Sequence, residues 1–134
     1  MIYNAYNDVS DTSLKPHVHL FGGKPGADDE YHDGTADLTS RVVHRENFLH
    51  HTFILLKGTG ASGNNTFKIQ VCPYHPVNQA GVTDDHWVDV ATLDDTHLVV
   101  TLSNVKLPFI RAVRTAELSA SPCTLVVCSG VSHP

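Results

Sequence analysis

The stretch TFKIQVCPY, Thr66–Tyr74, alternates. Phe67, Ile69 and Val71 fall on one side of an extended chain, and Thr66, Lys68 and Gln70 on the other. That is the pattern of a half-buried strand. Pro73 and Pro76 end it, because proline cannot donate to a ladder. Upstream, GTGASGNN (Gly58–Asn65) is a glycine-rich turn, and FLHHTFILLKG (Phe48–Gly58) is a long apolar run rich in β-formers. Together they predict a hairpin.

Downstream the same signals repeat. After a loop, HWVDVATL (His86–Leu93) sets Trp87, Asp89 and Ala91 against Val88 and Val90. Asp94 and Asp95 turn the chain into THLVVTLSNV (Thr96–Val105). KLPFIRAVRTAEL (Lys106–Leu118) follows with Pro108 at its strand start, then SASP (Ser119–Pro122) as a tight turn and CTLVVCSGV (Cys123–Val131). No stretch after Asn47 has helical periodicity. About six short strands with frequent turns predict an all-β antiparallel sandwich of the jelly-roll kind, over residues 47–134. Residues 1–46 are rich in Gly, Asp, Ser, Thr and Pro, and read as an extended, irregular arm with one short strand at His17–Phe21. The arm's composition suits a segment that orders against a partner.

The chain has 134 residues, one domain's worth, with 41% hydrophobic and 17% charged residues and a formal net charge of −5. It has no basic run, so direct nucleic-acid binding is not expected. No apolar run reaches membrane-spanning length, and the N-terminus lacks the basic and apolar regions of a signal peptide. The expectation is a soluble protein made in a cytoplasm. Ten histidines will move the net charge towards neutral as pH falls through about 6.5. Three cysteines, Cys72, Cys123 and Cys128, are too few and too irregular for a disulfide framework, and read as small buried hydrophobes.

Few constellations suggest chemistry. His17 and His19 in HVH share one face of a strand and can chelate one Zn²⁺ or Fe²⁺, with His44, His50 or His51 as candidates for a third ligand. Cupin barrels use such an HxH followed closely by a Glu; here Phe21, Gly22 and Gly23 follow, and no Glu comes before Glu30. GTGASG (Gly58–Gly63) imitates a phosphate loop, but no helix follows it. The pairs Asp28–Asp29, Asp84–Asp85 and Asp94–Asp95 read as turn carboxylates, and Asn64 opens a glycosylation sequon. Trp87 is expected in the core. Arg111 and Arg114 are the oddity: Phe109, Arg111 and Val113 share one face of their strand, Ile110, Ala112 and Arg114 the other. Neither face is purely apolar. That suits a sheet covered on one side by the core and on the other by a neighbouring chain, with the guanidinium groups paired.

Read as a whole, Gly58 to Gly130 resembles the small β-sandwich virion proteins of tailed bacteriophages. The residues carrying the resemblance are the glycine-rich hairpin, TFKIQV, WVDVATL, VVTLSNV, LPFIRAVRTAEL and CTLVVCSG. The resemblance implies a non-enzymatic structural protein located in the virion, without cofactor, metal or catalytic residues. It implies a head decoration (cement) protein that stabilises the capsid as a homotrimer through contacts with the major capsid protein. One alternative is a carbohydrate-binding module on a tail or fibre, since similar strands occur in discoidin-like sandwiches. A second is a small metal-dependent β-barrel enzyme using His17 and His19.

Overall fold

The computed structural model describes residues 15–21, 39–40, 42–57, 66–74, 81–114 and 124–131. Eight strands follow in chain order: β1 (His17–Phe21), β2 (Val43–His44), β3 (His50–Lys57), β4 (Phe67–Cys72), β5 (Val88–Leu93), β6 (Val99–Leu102), β7 (Phe109–Arg114) and β8 (Thr124–Val131). A 3₁₀ turn, Asp84–His86, precedes β5. The Gly58–Asn65 turn, Asp28–Asp29, Asn64, the Ser119–Pro122 turn and Cys123 lie outside the described residues.

The strands form two four-stranded sheets, ordered β1-β8-β3-β6 and β2-β7-β4-β5, and every pairing is antiparallel. The expected all-β sandwich is therefore the fold. Its pairings are those of one long folded ribbon: β1 with β8, β2 with β7, β3 with β6, β4 with β5. Rolling that ribbon up brings β8 against β3 and β7 against β4, and the result is a jelly roll.

Period-two burial builds the core. His51, Phe53 and Leu55 of β3 point inward, and Val126 and Cys128 of β8 join them. From the second sheet come Phe67 and Ile69 of β4, Leu93 of β5, and Ile110 and Ala112 of β7. Val18 and Leu20 of β1 and Val43 of β2 belong to the same core. This corrects the division at residue 47. The segment before it supplies an edge strand to each sheet, and Ser40 continues the pairing, its N–H donating to the Ala112 carbonyl at 2.8 Å. The short strand expected at His17–Phe21 is β1; what the sequence concealed is that Val18 and Leu20 complete the core.

The ribbon passes from the second sheet to the first over residues 45–49 and 103–108, and it stays hydrogen-bonded through the corner. Arg45 N–H donates to the Pro108 carbonyl (2.8 Å) and Val105 N–H to the Leu49 carbonyl (3.0 Å). Asn104 turns the chain there with φ of 58°, a left-handed conformation that asparagine tolerates. The Arg45 side chain is fully buried in this corner. Its Nη1 donates to the Lys15 carbonyl and its Nη2 to the Pro16 carbonyl at 2.9 Å, while its guanidinium lies 4.1 Å from the centre of the Phe48 ring. One side chain thus ties the start of β1 to the crossing.

Gly130 makes this approach possible. A Cβ there would lie 2.7 Å from Arg45 Nη2 and 2.8 Å from Phe48 Cδ1 and Cγ. Neither neighbour can yield cheaply, since one is hydrogen-bonded to two carbonyls and the other is a buried ring. Gly130→Ala is expected to lower stability by about 1–3 kcal/mol, the range for overpacking. Urea unfolding checks this, and amide exchange should quicken first in β1.

Candidate functional site

The outer face of the second sheet carries the densest polar and aromatic cluster among the described residues. Alternation along β7 sends Ile110 and Ala112 into the core, so Phe109 and Arg111 face outward. Gln70 stands beside Arg111 on β4, and Asp89 stands beside Gln70 on β5. The side chains form a chain: Gln70 Nε2 donates to Asp89 Oδ1 (2.8 Å), and Arg111 Nε donates to Gln70 Oε1 (2.8 Å). Arg111 Nη2 reaches Asp84 Oδ1 at 3.2 Å.

Trp87 closes the cluster. Its ring centre lies 4.4 Å from the Arg111 guanidinium carbon, and the ring packs on Val42 and Phe109. The 3₁₀ turn ahead of it is closed by the Thr83 N–H donating to His86 Nδ1 (2.9 Å), and the Tyr74 ring meets the His86 ring edge-on at 5.5 Å. Trp87 is therefore no anchor of the intersheet core. It is half-buried on the far side of β7, where it holds the 81–87 segment down on the sheet.

The two arginines of β7 meet different fates, and solvent claims neither. The Arg111 side chain keeps 13% of its exposure, against 92% for Asp84. Such a lopsided pair contributes little by charge; stacking and the Gln70 bond carry the contact. Arg114 points to the inner side, is buried, and lies 5.3 Å from the centre of the Phe67 ring. The outer face at Arg111 is thus covered by the chain's own Trp87, where a neighbouring chain was expected. With its guanidinium engaged by an amide, a carboxylate and an indole, Arg111 is not poised to receive an anionic substrate.

The histidines do not converge. His17 and His19 share a face of β1, as their spacing predicted, but Val18 and Leu20 are the inward residues, so the imidazoles point away from the sandwich interior. His44 stacks on Phe109 with ring centres 4.8 Å apart on the second sheet. His50 sits on β3 opposite Val131. His51 points inward, and its Nε2–H donates to the Val105 carbonyl at 3.0 Å. Among the described residues no three His, Cys, Asp or Glu side chains gather as a metal group would require.

Sequence reasoning missed the buried Arg45, while the alternation of His50 and His51, one inside and one outside, holds with His51 as the inward residue. Arg45 follows the apolar pair Val42–Val43, and nothing in VVHREN distinguishes a buried arginine from a solvated one. Cys128 stands beside it; burial pushes this thiol up to about 11, with the Arg45 charge and hydrogen bond opposing, so it stays neutral and unreactive near pH 7. Cys72 is buried and free as well.

No protein-family model, curated protein or solved structure matches the chain.

Burial holds the His51 imidazole below its ordinary 6.5, with the Arg45 charge also disfavouring the cation and the Val105 carbonyl opposing. The unfolded chain then binds a proton that the folded one does not. Stability should fall as pH drops below about 6.5, towards the lowered folded value. The Asp94 carboxylate, held down to about 2 by the Thr96 hydroxyl, the Thr96 N–H and His97, gives way only below about 4. Thermal melts between pH 7 and 5 therefore report His51, and His51→Gln should flatten that slope.

Arg111→Ala is expected to cost about 1 kcal/mol and to red-shift the emission of Trp87, the sole tryptophan. Arg114→Ala is expected to cost about 2–5 kcal/mol, the range for large-to-small changes in a filled interior, with little change in the folded-state spectrum. Urea unfolding and tryptophan fluorescence separate the two.

Proposed function

We propose that this chain is a non-enzymatic structural protein that acts through protein–protein contacts, as a virion component of the head-decoration type with the major capsid protein as partner. The supporting observation is the outer side of the first sheet. Leu56 and Val99 are exposed there around half-buried Ile54, and Val131 is exposed on the same side at the far end, opposite His50. Apolar side chains gathered on one face mark a contact surface. The fold does not choose among the readings, because jelly rolls serve as viral shell proteins, lectins and cupins alike.

The test is quantitative mass spectrometry of purified particles whose genome encodes the chain. The chain should be present in fixed proportion to the major shell protein, and particles lacking it should open at a lower temperature. Its absence from the particles would overturn the virion reading.

One observation favours a sugar-binding module instead: Trp87 lies outside the core, and the adjacent His86 meets the ring of Tyr74, which is 43% exposed. The guanidinium of Arg111 already lies over the indole ring, which disfavours stacking of a sugar there. A glycan-array signal that Trp87→Ala abolishes would favour this reading over the first.

A further inference from the structure

Gly130 of β8 stands between two basic side chains. His51 of β3 is its register partner, and its missing Cβ leaves the space that Arg45 Nη2 fills. The Gly130 N–H donates to the Pro16 carbonyl, which also accepts from Arg45 Nη2. His51, Gly130, Arg45 and the segment entering β1 are therefore contiguous. The buried imidazole and the seat of β1 share one corner.

The surroundings of His51 disfavour a charge. β8 brings Gly130 and, beside Arg45, the neutral Cys128 thiol. β6 brings Leu102. The crossing brings the Arg45 cation and the carbonyls of Phe48 and Val105, and His50 adjoins on the same strand. Glu46 and Lys106, in the same crossing, are exposed. Among the described residues no carboxylate acts on His51. The proton that would charge the ring goes to Nδ1, which is buried and makes no hydrogen bond. That proton would set a second cation beside Arg45, out of reach of water.

One of the neighbouring elements must then yield. β3 is paired on both sides, with β8 and with β6. β1 is an edge strand held by β8 alone, its register breaks between His19 and Phe21, and Lys15, Pro16 and His17 are exposed. Segments with few buried contacts open first. We propose that β1 is an acid-released strand: protonation of His51 drives Arg45 out of the corner and frees β1 from β8, while β3, β6 and β8 stay paired. Release lets water reach both basic groups. It also leaves the backbone groups of Cys128 and Gly130 open along β8, an edge able to take another strand. A general loss of stability would loosen every pairing together; this device loosens one. It does not depend on the virion reading.

The test is residue-resolved amide exchange by NMR on the full chain at pH 7 and pH 5, expressed as protection relative to the unstructured rate at each pH. The Gly130 N–H bond to Pro16 fixes the alternation. The Val18 amide therefore points to β8, and the Thr52 and Ile54 amides report the pairing of β3 with β8. Val18 protection is expected to fall about ten-fold at pH 5, the response to one proton taken up on opening over about one pH unit. Thr52 and Ile54 should hold. His51→Gln should keep Val18 protected at pH 5. The double variant His17→Gln, His19→Gln, which removes the imidazoles of β1 itself, should leave the fall in place. Arg45→Met should lower Val18 protection already at pH 7. Val18 protection that is unchanged at pH 5, that falls in step with Thr52 and Ile54, or that falls as far in His51→Gln would overturn the proposal. So would a fall that the double variant abolishes. The parent and the double variant decide the matter even where His51→Gln does not fold.

Discussion

The guanidinium of Arg45 sits where the folded ribbon crosses from one sheet to the other, and much of the architecture converges on it. Burying an unshared arginine charge is costly. Here the charge is met by two carbonyls of the segment leading into β1, and by the ring of Phe48. The consequence is positional. The start of β1 is fixed against β8, whose Gly130 leaves room for the contact, and Gly130 N–H in turn donates to the Pro16 carbonyl at 2.7 Å. Once β1 is seated, Val18 and Leu20 complete the core of the first sheet. A segment with almost no periodic signal becomes structural through one side chain located 29 residues further on.

The same corner places His51. Neutral imidazole donates to the Val105 carbonyl on the opposite arm of the crossing, beside a buried cation. Two basic groups share a dry corner, and only one of them carries charge. Arginine keeps its proton because its intrinsic affinity for it is far higher, and histidine yields. Acid therefore acts on this fold at its crossing, before it reaches the surface carboxylates.

The outer faces of the two sheets are finished differently. Trp87, Arg111, Gln70 and Asp89 cover the second sheet with side chains of the same molecule. The first sheet shows Leu56 and Val99 to solvent. If the molecule works by contact, the asymmetry locates the contact: one face is satisfied internally, and the other is not.

Period-two alternation in Thr66–Tyr74 and His86–Leu93, with the β-prone run Phe48–Gly58 and frequent turns, was enough to predict an antiparallel sandwich, because burial on one face of a strand imposes that pattern whatever the topology. It also determined that His17 and His19 share a face, and that Arg111 and Arg114 face opposite ways. Which face was inward lay beyond it. Trp87 was expected inside because it is large and apolar, yet the register of β7 turned Phe109 and Arg111 outward and gave the indole a cation to rest on. Only the tertiary structure decided that the sandwich begins at β1, that Arg45 is buried, and that no third histidine among the described residues reaches His17 and His19. The reason is common to all three: each depends on contacts between residues distant in sequence, and no local spacing encodes which carbonyl, ring or edge a side chain will meet once the ribbon is rolled.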